Sequence, residues 1–108
     1  MVDASKMVIS APRLDSHSIS HMFKNCTSLT KGPEVFGDII GSQYVMDGFF
    51  YNCTSLQQIK IHYTGNFSGN LFDQWVYNVP STGTFYYNGS DTTRGTSAIP
   101  VGWTIQTF

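Results

Sequence analysis

Two nine-residue blocks, His21-Met22-Phe23-Lys24-Asn25-Cys26-Thr27-Ser28-Leu29 and Gly48-Phe49-Phe50-Tyr51-Asn52-Cys53-Thr54-Ser55-Leu56, agree at six of nine positions with an offset of 27. A unit of that length cannot bury its apolar face alone, so a tandem repeat implies stacked coils whose equivalent residues lie one above another. The match extends upstream. Ile19, Met22, Phe23 and Cys26 stand at i, i+3, i+4 and i+7, and Met46, Phe49, Phe50 and Cys53 repeat the pattern. That spacing predicts one face of a helix in each unit, ending near its cysteine. An extended segment follows each block, at residues 56–62 with apolar Leu56, Ile59 and Ile61, and at residues 29–35. A weaker third copy lies at residues 8–14, where Ala11-Pro12 aligns with Gly32-Pro33 at an offset of 21.

Stacking assigns ladder roles. Phe23 and Phe50, Asn25 and Asn52, Cys26 and Cys53, and Leu29 and Leu56 are the expected structural pairs, the asparagines satisfying turn backbone groups. The cysteines are read first as buried free thiols, then as an inter-coil disulfide, and last as reactive groups. Composition fits the ladder. Only 12% of the 108 residues are charged, against 15% aromatic, and the net charge is -1. A charge repeated at one position would face its own copy, whereas Asn, Thr, Ser and Tyr recur without repulsion. So few cations also argue against nucleic acid, which requires a basic stripe to displace counterions. No segment has the layout of a secretory leader or the length of a membrane span.

These residues resemble the BspA-like leucine-rich repeats of bacterial surface and phage-associated proteins, whose unit reads M-F-x-x-C-T-S-L-T-x-A-P-x-L. Here it stands as residues 22–35, with Gly32 for Ala; the second copy has Phe49 for Met and lacks the proline turn. Family members often close with W-V-x-G-V-x-S-x-G-T-F and, after a variable loop, G-I-P-x-G-W-T-V. Residues 75–85 and 97–105 match, with Asn78 in place of Gly. The resemblance implies an α/β fold: a short leucine-rich-repeat solenoid of about three coils, each a helix plus a strand of a parallel sheet. The strands are expected near residues 8–14, 29–35 and 56–62. It implies nothing catalytic, because the family is defined by scaffold positions.

The C-terminal part reads as a cap. Leu71, Phe72, Trp75, Val76 and Val79 have helical spacing. Residues 83–87 and 102–108 read as strands around a polar loop, 88–95, which predicts a β-hairpin over the open end of the coils. Residues 1–62 are thus the repeat coils and residues 63–108 a capping segment of the same compact domain.

No arrangement in the chain marks an enzyme. His17 and His21, at i and i+4 with Asp15 nearby, have a metal-ligand spacing without a third ligand and read as solvated residues. His62 reads as a partly exposed packing residue. Gly65-Asn66-Phe67-Ser68-Gly69 is out of register for a nucleophile elbow. The sequons at Asn25, Asn52, Asn66 and Asn88 carry no functional reading. No cofactor is implied. The surplus tyrosines are the functional lead: Tyr51, Tyr63, Tyr77, Tyr86 and Tyr87 are the candidate ligand-binding residues, since exposed Tyr beside Asn and Thr makes a rigid, neutral recognition surface. The expectation is a non-enzymatic adhesion module that holds a protein or carbohydrate at a bacterial cell surface or on a phage tail. The alternative is an assembly module, a homo-oligomer through the N-terminal coil or one part of a longer repeat protein.

Overall fold

The repeat is built from turns. In the computed structural model, which describes residues 3–4, 6, 8–14, 20–39, 46–62, 67 and 72–108, the segments with helical apolar spacing are runs of overlapping four-residue turns, and no helix occurs among the described residues. The N–H of Phe49 donates to Met46 O, that of Tyr51 to Gly48 O, and that of Cys53 to Phe50 O. Gly48 and Asn52 take positive φ of 60° and 62° at the third positions of the first and last of these turns, as type II turns require. Asn25 does the same in the preceding row, where His21 also takes a positive φ of 58°, and Gln74 and Asn78 do so in the following one. A left-handed residue every fourth position cannot continue a right-handed helix.

Backbone groups left over by the turns bond between coils. The N–H groups of His21, Phe23 and Asn25 donate to the carbonyls of Asp47, Phe49 and Tyr51; those of Gly48, Phe50 and Asn52 donate to Asp73, Trp75 and Tyr77. In the second unit the inward positions follow the spacing read from sequence, because Met46, Phe49, Phe50 and Cys53 are all fully buried; in the first, Phe23 is buried, Cys26 half-buried and Met22 42% exposed, and Ile19 lies outside the described residues. Over residues 46–53 the turn run projects the same residues inward that a helix would have.

Opposite the turn rows lies one five-stranded, wholly parallel sheet in sequential order: β1 (Val8–Leu14), β2 (Lys31–Ile39), β3 (Gln58–Ile61), β4 (Thr84–Tyr86) and β5 (Thr104–Gln106). Four expectations are corrected. The helix-plus-strand solenoid of three coils gives way to five strands joined through turns. The C-terminal helix is the turn run of residues 72–79, and the predicted hairpin is the parallel pair β4 and β5, which extends the sheet. The first copy pairs Val8 with Glu34 and Ile9 with Val35, not Ala11-Pro12 with Gly32-Pro33. These two pairs lie 26 residues apart, which sets Ile9 beside the inward Val35, whereas an offset of 21 is an odd slip of five residues and would reverse which side chains of β1 face the core.

The core fills the space between sheet and turn rows. Ile59 and Phe85 form one inward rung with the partly buried Ile105, and Val35, Ile61 and Tyr87 lie inward at the next. Phe50, Phe67, Phe72 and Phe85 surround the fully buried Trp75 at centroid distances of 4.8 to 6.3 Å. A Cβ at Gly32 would approach Phe50 Cζ to 2.6 Å, so the ring packs directly against the glycine backbone. Asn78 tolerates the φ of 63° that a Gly would otherwise supply.

Candidate functional site: two aromatic ladders

Two surfaces carry side chains that the core does not use. The first is the outward sheet face. Outward positions of β3 alternate with buried ones, so Gln58 and Lys60 face solvent beside Ile59 and Ile61. Register then places Val8, Glu34, Lys60, Tyr86 and Gln106 on one rung across all five strands. Lys60 Nζ lies 5.1 Å over the Tyr86 ring, a cation–π contact. Beyond the end of β3, His62 is sandwiched between Phe36 and Phe108, each ring centroid 3.9 Å away and nearly parallel. His62 Nε2 is 2.6 Å from Glu34 Oε2, and the Phe108 N–H donates to Asn88 Oδ1 at 2.9 Å. Phe108 remains 47% exposed. A histidine–carboxylate hydrogen bond, a cation–π pair and a three-ring stack thus lie side by side on one face.

The second surface runs along the turns. Lys24 Nζ lies 5.1 Å over the Tyr51 ring, which stacks at 4.8 Å on Tyr77. Beside this column Asn52 Nδ2 donates to Asn25 Oδ1 at 3.1 Å, and Asn78 Nδ2 to Asn52 Oδ1 at 2.7 Å. The ladder therefore has three asparagines. It ends at a groove of about 260 Å³ whose lining includes Val76, Asn78, Val79, Pro80, Thr96 and Val101.

The five candidate tyrosines separate. Tyr51 and Tyr77 stack in the turn column, and Tyr86 lies on the sheet face. Tyr87 is a correction: at 1% exposure its ring belongs to the core, so it offers no contact surface. Burial raises its phenol above the usual range, an effect partly offset by the Asp91 amide. Tyr63 lies outside the described residues, as do Asp15 and His17. Sequence reading missed Glu34, Phe36, Lys60 and Phe108, because only strand register brings them together.

The titratable groups hold structure. Phe23 and Phe50 stack at 6.0 Å, Leu29 and Leu56 are fully buried, and both cysteines are free. Cys53 Sγ donates to Phe23 O at 3.0 Å, and burial pushes its thiol up to about 11. The folded thiol stays neutral where the unfolded one ionises, so this group removes stability as pH rises past the ordinary thiol range. In native protein at pH 8, Ellman's reagent is expected to titrate the half-buried Cys26 readily. Cys53 should react only at the rate of unfolding, and equal rates for the two would contradict its burial.

Asp91 pins the 88–95 loop to the core. Its carboxylate accepts from Thr93 Oγ1 at 2.6 Å, from Phe67 N–H at 2.8 Å and from Thr93 N–H at 3.0 Å. The Thr93 hydroxyl, then the two amides, hold it below the ordinary carboxylate range. A depressed folded value means stability that is complete above the unfolded value and lost as pH falls through the folded one. Between about pH 5 and pH 2 the thermal midpoint should drop further for the native chain than for Asp91→Asn. Parallel curves would remove this role.

Ser20 and His21 share one carboxylate. The Asp47 carboxylate accepts from Ser20 Oγ at 2.5 Å and lies 3.1 Å from His21 Nε2, an arrangement in which the acid sits between hydroxyl and imidazole, unlike a relay in which the imidazole does. Among the described residues no group of three or more His, Cys, Asp or Glu is placed to hold a metal, and no helix is long and apolar enough to cross a membrane.

Fold and surfaces together define a small parallel-sheet repeat protein with turn-built coils and two ordered aromatic ladders. No family model, curated protein or solved structure matches the chain.

Proposed function

We propose that this chain is a non-enzymatic binding module that recognises a partner protein through the outward face of its sheet. The observation that carries the reading is the stack of Phe36, His62 and Phe108 beside Tyr86 and Lys60. Aromatic rings on the solvent side of a sheet add nothing to the core, and they are preorganised by mutual stacking, so little side-chain entropy remains to be lost on binding. Both His62 ring faces are already covered, which leaves ring edges and flanking polar groups for contact. That favours a protein over a glycan, which would lay its C–H groups on a free ring face. A setting at a bacterial cell surface or on a phage tail is part of the proposal and comes from the family resemblance.

The assembly reading draws on one different observation. β1 is seven residues long and lies at the sheet's edge, where a strand presents unpaired backbone groups to a second chain.

The intact chain is to be screened on protein and glycan arrays together with Phe108→Ala and Lys60→Ala. A protein ligand is expected, with affinity reduced roughly 30-fold in Phe108→Ala, as for a hot-spot truncation. Thermal midpoints should stay within about 3 °C of the parent. Retention of glycans alone, or a protein ligand indifferent to both substitutions, would refute the sheet-face reading. A stable oligomer by light scattering would transfer support to assembly.

A further inference from the structure

The groove at the end of the turn ladder has a structural cause. Gln58 pairs with Thr84, 26 residues on, but Thr84 pairs with Thr104 only 20 residues on, so the last coil is six residues shorter. The loss falls on the turn row. Gln74 N–H finds Ser97 Oγ and Val76 N–H finds Thr96 O, and beyond them the row stops.

Each earlier step of the row uses the same two bonds. Asn25 N–H donates to Tyr51 O and Asn52 N–H to Tyr77 O, both at 2.8 Å. In return the next asparagine's Nδ2 donates to the previous Oδ1. Asn78 completes neither bond: its N–H and its Oδ1 have no partner among the described residues, and it lines the groove. Tyr77, 42% exposed, carries Tyr51 on one face and, among the described residues, no ring or cation on the other. Arg94 holds the far wall in place, donating to Pro100 O at 3.2 Å and Trp103 O at 2.6 Å.

The groove is therefore the footprint of one missing turn, and its complement can be written down. It requires a carbonyl for Asn78 N–H, a carboxamide N–H for Asn78 Oδ1, a flat side chain for the open face of Tyr77, and an apolar residue against Val79, Pro80 and Val101. We propose that this groove binds an aromatic-Asn dipeptide carried on a turn of a partner protein, which continues the ladder as the next coil would. The site is separate from the sheet face, so either can fail without the other.

The test is an amide-shift NMR titration of the intact chain with a capped Phe-Tyr-Asn-Val peptide. Saturable shifts are expected at Asn78, Gly95 and Val101, with a dissociation constant on the order of 1 mM. The capped Phe-Tyr-Asp-Val peptide, which replaces the carboxamide donor with an anion facing Asn78 Oδ1, should bind at least about tenfold more weakly. Asn78→Gly retains the left-handed turn and the backbone N–H but lacks Oδ1, and should weaken the first peptide by a similar factor while its spectrum stays folded. The proposal is overturned if neither peptide shifts these residues, or if the Asp peptide binds equally well. It is likewise overturned if N-acetylglucosamine alone reproduces the shifts, or if diluting the chain moves the same signals, since the occupant would then be an acetamido sugar or a second copy.

Discussion

Trp75→Ala is expected to lower the thermal midpoint by at least about 15 °C, or to abolish cooperative unfolding altogether. Trp75 is fully buried, meets Phe50, Phe67, Phe72 and Phe85, and donates from Nε1 to Ala98 O at 2.8 Å. Truncating a buried tryptophan costs about 3–5 kcal/mol through lost transfer energy and the cavity left behind. A domain of this size has a total stability of about 5–15 kcal/mol, so one substitution removes a large part of it. Trp75→Phe separates packing from polarity. It retains most of the ring but leaves the Ala98 carbonyl unpaired, which costs about 1–3 kcal/mol. Thermal and urea unfolding of the two variants measure the difference, and an alanine variant as stable as the phenylalanine one would contradict this description of the core.

The second large effect is at a glycine. Trp103 N–H donates to Pro100 O, closing a turn in which Gly102 takes a φ of 88° at the third position. A Cβ at Gly102 would overlap the Ser81 carbonyl oxygen, which belongs to the backbone and cannot rotate away. Gly102→Ala therefore combines left-handed strain with a steric clash, for a loss of about 2–4 kcal/mol. Gly95 isolates the first contribution. Its φ is 151°, but nothing lies within 4 Å of where its Cβ would be. Gly95→Ala should cost about 1–2 kcal/mol, clearly less than Gly102→Ala, and urea midpoints decide the order. Equal losses would show that the clash at Ser81 contributes nothing.

The sequence located the repeat and the buried positions of residues 46–53, but it counted three coils where five strands stand, placed the 42% exposed Met22 on an inward face, and misassigned the element between the strands. Met46, Phe49, Phe50 and Cys53 are inward in either a helix or this turn run, so apolar spacing alone cannot distinguish them. The distinguishing signal lay in Gly48 and Asn52, His21 and Asn25, and Gln74 and Asn78: pairs four apart, one member always Asn, which tolerates the left-handed region. The same signal would have placed Asn78 in a third repeat rather than in a cap. Strands β4 and β5 were recognised as strands, but their polar connection suggested a hairpin. A hairpin requires antiparallel pairing, and here the connection instead carries a shortened coil that returns to the start of the next parallel strand.

The sheet-face cluster was illegible for a different reason. Glu34, Lys60 and Tyr86 become neighbours only once β2, β3 and β4 are in register, and the offset read from the turn blocks is one residue longer than the strand offset at this rung. A one-residue slip reverses which side chains face out. Phe36, His62 and Phe108 lie still further from any repeat match.

The central claim is that the rows opposite the sheet are turns bonded between coils, since the asparagine ladder, the groove and the register all depend on it. Through-hydrogen-bond NMR coupling tests it at one amide. Phe50 N–H donates to Trp75 O at 2.7 Å, so a coupling is expected between the Phe50 nitrogen and the Trp75 carbonyl carbon. A helix through the same residues would instead couple Phe50 to Met46 four residues back, and that result would contradict the account.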